Sequence, residues 1–286
     1  MADAAQDLSA LIGELRPRLH RYCARMTGSA IEGEDVVQDA LAKAAEAWPG
    51  AEAVERPDRW LFRIAHNCAL DALRRRRRLA ARAGESGGDP ADPSASADAR
   101  VAAAASLGSF MALTPAERSS VLLGDVLGYS LAETGEILGA SLASVKAALH
   151  RGRTRLKAVA AADAPTPRLD PAERARLKAY ADRFNARDFD ALRDLLAEDV
   201  RLDLVNRVRM AGRKEVSVYF TRYSQAAVWS LAPVLAEGRP ALLATDPAGA
   251  APSFVILIDW AGERIAAIRD FHYAAYVMEG LEIASL

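Results

Sequence analysis

Apolar residues near the start of the chain recur at helical spacing, with Leu8, Leu11, Ile12, Leu15 and Leu19 on one face. A second such pattern runs from about Ile31 to Trp48 through Val36, Val37, Ala40, Leu41 and Ala44, and Pro49-Gly50 stops it. A third begins after Pro57, placing Trp60, Leu61, Ile64, Ala65, Cys68, Ala69 and Leu73 on one side before running into Arg74–Arg78. The front of the chain is therefore predicted to be all helix. The stretch GESGGDPADPSASAD at 84–98 then breaks every pattern. Gly, Ser, Asp, Pro and Ala bury too little surface to repay the entropy of ordering, so a flexible linker is predicted.

Helical character resumes near Ala99. Thr114-Pro-Ala-Glu117 combines an N-cap, a proline at the first helical position and a Glu capping partner. Leu131–Leu138 reads as a short helix, Gly139 as a turn, and Ser141 as the cap of a helix reaching about Lys157. That succession is a helix-turn-helix, whose second helix enters the DNA major groove. A boundary at Asp163-Ala-Pro-Thr-Pro167 precedes helices at about 170–186 and 188–197. β-type runs follow at Arg201–Val205, Leu231–Ala236, Pro240–Thr245, Phe254–Trp260 and Arg264–Tyr276. The predicted organisation is a helical region at 1–83, a linker at 84–100, a helix-turn-helix region at 101–162 and an α+β region at 168–286.

Composition narrows the classes. Of 286 residues, 51% are hydrophobic and 26% charged, the profile of a folded soluble protein with two or three modest domains. No apolar run approaches a membrane span, and MADAAQDLSA lacks the form of a signal segment. Cys23 and Cys68 fit neither a metal spacing nor a disulfide framework, so a reducing cytoplasm is expected, and neither a metal nor a cofactor is called for. The net charge of −1 conceals two basic segments. Arg59 to Arg82 holds eight arginines against Asp71 alone, and Ile137 to Ala162 contains no acid against Lys146, Arg151, Arg153, Arg155 and Lys157. Two such segments point to two patches for a polyanion.

In the helix-turn-helix, Ser141, Leu142, Ser144, Val145 and Lys146 lie at the start of the second helix, where base edges are read. The later His150, Arg151, Arg153 and Arg155 are placed for phosphates. An amphipathic core helix with a solvated basic face is the other reading of this pattern. On the third front helix, Arg63, Asn67, Arg74 and Arg75, with Arg77 and Arg78, are spaced to line the path of a nucleic-acid strand. A merely solvated face is again the alternative. Trp48 and Trp60 lie within apolar stripes and are read as core.

Asp35-Val-Val-Gln38-Asp39 followed by Trp48, then Trp60-Leu-Phe-Arg-Ile-Ala-His-Asn67, Asp71 and the arginine run, resemble region 2 of the extracytoplasmic-function group of the sigma-70 family. Leu113-Thr-Pro-Ala-Glu-Arg118, Gly128-Tyr-Ser-Leu-Ala-Glu133 and Val145-Lys-Ala-Ala-Leu-His-Arg-Gly-Arg153 are similar to its region 4. The resemblance covers a little over half the chain. It implies that Asp35, Gln38 and Asp39 face core RNA polymerase, that the Arg63–Arg78 segment opens and reads a −10 element on the melted non-template strand, and that Ser141–Arg155 reads a −35 element in duplex promoter DNA. It also implies that linker acids Glu85, Asp89 and Asp92 imitate nucleic acid; plain solubility explains these acids equally well, as a solvated helix edge would explain Asp35, Gln38 and Asp39. Ala147 and Ala148 stand where many members carry an arginine or serine, which leaves the promoter sequence open.

Residues 168–286 resemble the SnoaL-like branch of the nuclear transport factor 2-like superfamily, a cone of curved antiparallel sheet wrapped by helices. The carriers are Tyr180-Ala-Asp-Arg-Phe-Asn-Ala-Arg-Asp-Phe-Asp190, Leu195-Leu-Ala-Glu-Asp-Val200, Gly212-Arg-Lys-Glu-Val216 and Ile268-Arg-Asp-Phe-His-Tyr273. Such a cone encloses a pocket, for which Asp203, Asp270 and His272 are candidates, with Tyr180, Phe184, Trp229, Trp260 and Tyr273 as possible walls. Core packing explains the aromatics equally well. Strand alternation would put Asp270 and His272 on one face, with Phe271 and Tyr273 on the other. The resemblance implies regulation of the sigma regions, by intramolecular docking or a small-molecule ligand, and no catalytic residue. Two alternatives stand beside it: a ligand-sensing helix-turn-helix regulator that does not replace the sigma subunit, and an enzyme working in the C-terminal cone.

Overall fold

A computed structural model describes residues 2–48, 54–83, 106–159, 169–225, 229–246 and 252–286. The linker with Glu85, Asp89 and Asp92, the Pro49-Gly50 stop and the 163–167 boundary lie outside them. The chain divides into two compact units, Met1–Asp163 and Ala164–Leu286.

The first unit opens with three long helices, α1 (Ala2–Thr27), α2 (Ala30–Ala47) and α3 (Pro57–Ala83). Ser29 caps α2, its hydroxyl accepting from the Glu32 amide at 3.1 Å. The apolar stripes meet in one core, with Leu19, Tyr22, Val37, Ala40, Leu61, Phe62 and Ala65 buried. The Trp48 and Trp60 rings pack on each other, 5.3 Å between centroids. After the undescribed linker come α4 (Leu107–Phe110), α5 (Pro115–Val121, continued by a wider π turn to Val126), α6 (Leu131–Leu138) and α7 (Leu142–Val159). Capping boxes start both α5, through Thr114 and Glu117, and α6, through Ser130 and Glu133. Gly139 turns between α6 and α7 with φ at +63°, a conformation that costs glycine nothing. Gly152 serves close packing instead: a Cβ there would lie 2.7 Å from Val121 Cγ2. The core is continuous across both helical groups, from Phe62 of α3 to Leu123, Tyr129 and Ile137.

In the second unit, α8 (Pro171–Asn185) and α9 (Phe189–Asp194) precede β1 (Leu196–Leu204) and β2 (Val208–Ala211). Then come α10 (Arg213–Gln225), β3 (Ser230–Ala236), β4 (Arg239–Thr245), β5 (Pro252–Ala261), β6 (Arg264–Asp270), a 3₁₀ turn at Ala275–Met278 and β7 (Ile283–Ser285). The seven strands form one sheet in the order β2-β1-β6-β5-β4-β3-β7, antiparallel except for the β1–β6 pair. Three differences from the sequence pattern matter. The helix expected at 188–197 ends at Asp194, and its last residues already belong to β1. The strand expected to reach Tyr276 ends at Asp270, because the Asp270 side chain captures the His272 amide at 2.8 Å and turns the chain. The elements predicted from the sequence do not include α10.

Candidate nucleic-acid interface

The α3 pattern that buries Leu61, Ala65, Cys68 and Ala69 leaves Arg63, Asn67, Arg74, Arg75, Arg77 and Arg78 exposed. Arg63, Asn67, Asp71, Arg74 and Arg78 follow one another at intervals of three or four, so they form a single stripe. Arg74 pairs with Asp71 at 3.0 Å and Arg75 with Asp39 at 3.6 Å, all with half-exposed side chains. Exposed pairs of this kind are worth about 0–1 kcal/mol, too little to withhold either arginine from a phosphate. Arg76 turns the other way, donating to the Thr27 carbonyl at 3.2 Å. Between α2 and α3, Asp39, Lys43, Cys68, Asp71, Arg74 and Arg75 line a polar hollow of about 260 Å³. Asp35 and Asp39 are exposed on α2 and Gln38 is half-buried. On the inner side of α3, burial pulls the His66 imidazole down to about 4, and its Nδ1 is 2.8 Å from the Tyr22 hydroxyl.

The α7 helix presents a different arrangement. Ser141, Leu142, Ser144, Lys146, His150 and Arg151 are exposed, and Leu142 is 56% accessible despite being apolar. Val145 does not face outward as expected; it is 1% exposed, because it shares the inward stripe with Ala148 and Leu149. Ser141 accepts from the Ser144 amide at 3.2 Å and so caps the helix. The later arginines are held by acids of the same fold. Arg153 grips Asp125 with two bonds of 2.9 and 2.6 Å. Arg151 and Arg155 reach Glu117 at 3.2 and 2.8 Å. Burial would raise the Glu117 carboxyl, but the Thr114 hydrogen bonds and the two arginines outweigh it and hold it below its ordinary value. These three arginines brace the helix-turn-helix. Only their outer edges remain for phosphates.

Contacts also run between the two helical groups. Arg59 of α3 pairs with Glu133 and Glu136 of α6, and Arg63 donates to the Glu136 carbonyl. Tyr129 donates to Asp58 at 3.3 Å and meets the Phe62 ring edge-on at 5.5 Å. Arg118, 3% exposed, donates to the carbonyls of Phe110, Leu113 and Met111 and to that of Met26 in α1. Sequence reasoning missed Arg59, Glu133 and Glu136 as a group; residues more than seventy positions apart carry no pattern that links them.

In the second unit, Asp270 is fully buried. Its Oδ2 accepts from the hydroxyls of Tyr219 at 2.9 Å and Tyr223 at 2.7 Å, and its Oδ1 from the His272 amide. Burial pushes its carboxyl above the ordinary value even so. Asp270 and His272, with Leu204, Tyr219, Tyr223 and Trp229, line a cavity of about 70 Å³. Three other candidates lie elsewhere. Asp203 is one step out of phase with Leu204, so it points to the opposite sheet face and pairs with Arg209 and Arg269. Trp260 packs under the Arg176 guanidinium at 5.9 Å. Tyr180 is buried beside the cavity rather than in its lining, and burial and the Asp270 charge push its hydroxyl far up. The expected split of faces fails at the turn, since Tyr273 also borders the cavity. The missed Tyr219 and Tyr223 were legible: Val216, Tyr219, Phe220 and Tyr223 after Gly212 have helical spacing.

No group of residues that could hold a metal ion occurs among the described residues, and no helix among them is long and apolar enough to cross a membrane.

The first unit thus joins a helix with an exposed basic stripe to a helix-turn-helix. Residues 11–79 match the family model for sigma-70 region 2, and residues 110–156 that for sigma-70 region 4. The chain is 33% identical over 221 residues to the ECF RNA polymerase sigma factor SigG of Mycobacterium tuberculosis, covering 68% of this chain and 60% of SigG. It is 31% identical over 159 residues to the RNA polymerase sigma factor CarQ of Myxococcus xanthus, covering 54% of this chain and 90% of CarQ. A crystal structure of the extracytoplasmic function sigma factor SigJ of M. tuberculosis aligns over 92% of this chain and 95% of SigJ, at 22% identity and a TM-score of 0.35. The chain belongs to the extracytoplasmic-function group of sigma-70 family sigma factors. It spans about 60% of the length of SigG.

Proposed function

We propose that this chain binds core RNA polymerase and directs it to a set of promoters, in the cytoplasm, with its second unit regulating that activity. The observation that carries the reading is an ordered pair of exposed surfaces: the basic α3 stripe from Arg63 to Arg78, then the start of α7. The stripe takes the melted non-template strand, with Arg74, Arg75, Arg77 and Arg78 on phosphates and the hollow beside Arg74 receiving an extruded base. Extrusion costs a few kcal/mol, which such contacts offset. Ser141, Leu142, Ser144 and Lys146 read the upstream element, Leu142 as an apolar contact suited to a thymine methyl. His150 and the outer edges of Arg151, Arg153 and Arg155 add phosphate contacts. Asp35, Gln38 and Asp39 form the polymerase-facing edge. The polymerase supplies the chemistry, and no residue of this chain is catalytic. The cavity beside Asp270 and His272 gives the second unit a place for a small ligand that would tune docking on the sigma regions.

Run-off transcription from genomic fragments with purified core polymerase tests this. The full chain should give discrete start sites that core enzyme alone does not. A chain that forms no complex with core polymerase would overturn the reading, and activity and promoter choice unchanged on removal of residues 165–286 would overturn the regulatory part.

A further inference from the structure

Arg59 belongs to the same α3 stripe as the strand-facing residues: it lies four positions before Arg63, which lies four before Asn67. Its guanidinium meets two carboxylates of the helix-turn-helix, those of Glu133 and Glu136, while Arg63 donates to the Glu136 carbonyl. Arg56 adds a looser contact to Glu133 at 3.5 Å. Two carboxylates set against neighbouring arginines offer the oxygen-rich, doubly negative partner that two backbone phosphates would offer.

Geometry shows that this pairing and promoter binding exclude each other. Elements named for positions 10 and 35 lie about 25 base pairs apart, roughly 85 Å at about 3.4 Å per pair. A compact unit of the size of Met1–Asp163 has a diameter of only about 40 Å. With α3 and α6 in ion-pair contact, one region cannot sit on each element.

We infer that Arg59, continuous with Arg63, is a further phosphate-binding site for the melted strand, and that Glu133 and Glu136 occupy it in the free chain as internal substitutes for DNA. The inference rests on the sigma reading for the identity of the strand. Docking of the two regions on their separate targets draws the acids away and delivers Arg59 to the nucleic acid. The free chain is thereby kept from gripping single strands at random.

The test uses the full chain without polymerase and a mixed-sequence single strand of about 30 nucleotides, several site sizes long. Glu133→Gln with Glu136→Gln is the opening variant; glutamine is also an accepted capping-box partner, so α6 keeps its cap. Its affinity should rise, and the slope of log K against log salt should steepen by about 0.7 to 1.4, one to two phosphate contacts. The same pair of changes in an Arg59→Gln, Arg63→Gln background should give neither effect. An unchanged slope, or a gain of equal size in both backgrounds, would overturn the inference, the latter because it would reflect simple loss of negative charge. Polymerase is absent from this assay, so failure of the sigma reading appears separately, as failure to form a complex with the core enzyme.

Discussion

Two helices of the first unit carry clusters of arginines, and the fold treats them in opposite ways. Along α3, Arg74, Arg75, Arg77 and Arg78 stand on the surface, and the pairs of Arg74 with Asp71 and Arg75 with Asp39 are exposed and weak, so this charge is available. Along α7, Arg151, Arg153 and Arg155 lean back onto Glu117 and Asp125, whose side chains are only 3% and 4% exposed. The first helix leaves its charge in solvent. The second uses much of it to neutralise acids that its own scaffold has buried. A basic run in sequence therefore reports charge, while the acids of other helices decide whether that charge is free to bind.

The sharpest way to break the comparison is to strip the displayed set. Replacing Arg74, Arg75, Arg77 and Arg78 with alanine should flatten the salt slope of single-strand binding by about 3, at about 0.7 per lost contact. Affinity near 0.1 M salt should fall by a hundredfold or more, while the thermal transition barely moves. A salt titration checks the first and calorimetry the second; an unchanged slope would show that the stripe is only a solvated face.

The inner side of the same helix predicts a pH effect. His66 titrates at about 4 in the fold because burial disfavours its charge, against about 6.5 when unfolded. Between these values the unfolded chain binds the extra proton, so its contribution is whole above pH 6.5 and declines as pH falls towards 4. The loss is about 3 kcal/mol if the full shift is realised. Urea unfolding of the parent and of His66→Gln across that range should show the parent losing stability more steeply.

Much of the fold beneath this contrast was legible in the chain, though the contrast itself was not. The stripes of α1, α2 and α3, the capping boxes at Thr114 and Ser130, and the Gly139 turn are local signals, and each lies where local chemistry put it. Strong local preferences did not suffice at Val145, because position within a recognition helix says nothing of which side meets the core. The α10 helix was missed although its spacing is regular, since β-branched and aromatic residues such as Val216, Tyr219 and Tyr223 also suit strands. Asp203 and Trp260 were grouped with Asp270 on chemistry alone, and the two-residue period of β1 separates Asp203 from it. The Arg59–Glu133–Glu136 contact could not be read at all: it depends on tertiary packing.

The braced set should respond as structure rather than as ligand contacts. Arg153→Ala leaves Asp125, nearly buried, without its two-bonded partner. Breaking a fully buried pair costs about 3–5 kcal/mol. Arg153 itself is 39% exposed, so solvent screening reduces the expected loss to about 2 kcal/mol, read from the urea midpoint at constant m value. The salt slope for duplex binding should change by less than the value of one contact.

Lys146 provides the control on the same helix. It is exposed near the start of α7 and lies outside the brace formed with Glu117 and Asp125. Lys146→Ala should leave the unfolding midpoint within about 0.5 kcal/mol of the parent. The duplex salt slope should become shallower by about 0.9, the share of one phosphate. Equal loss across all duplex sequences would make Lys146 a phosphate contact, whereas loss confined to one base position would make it a reader of that base. If Lys146→Ala leaves the slope unchanged while Arg153→Ala flattens it, the division between displayed and bracing cations on α7 is reversed.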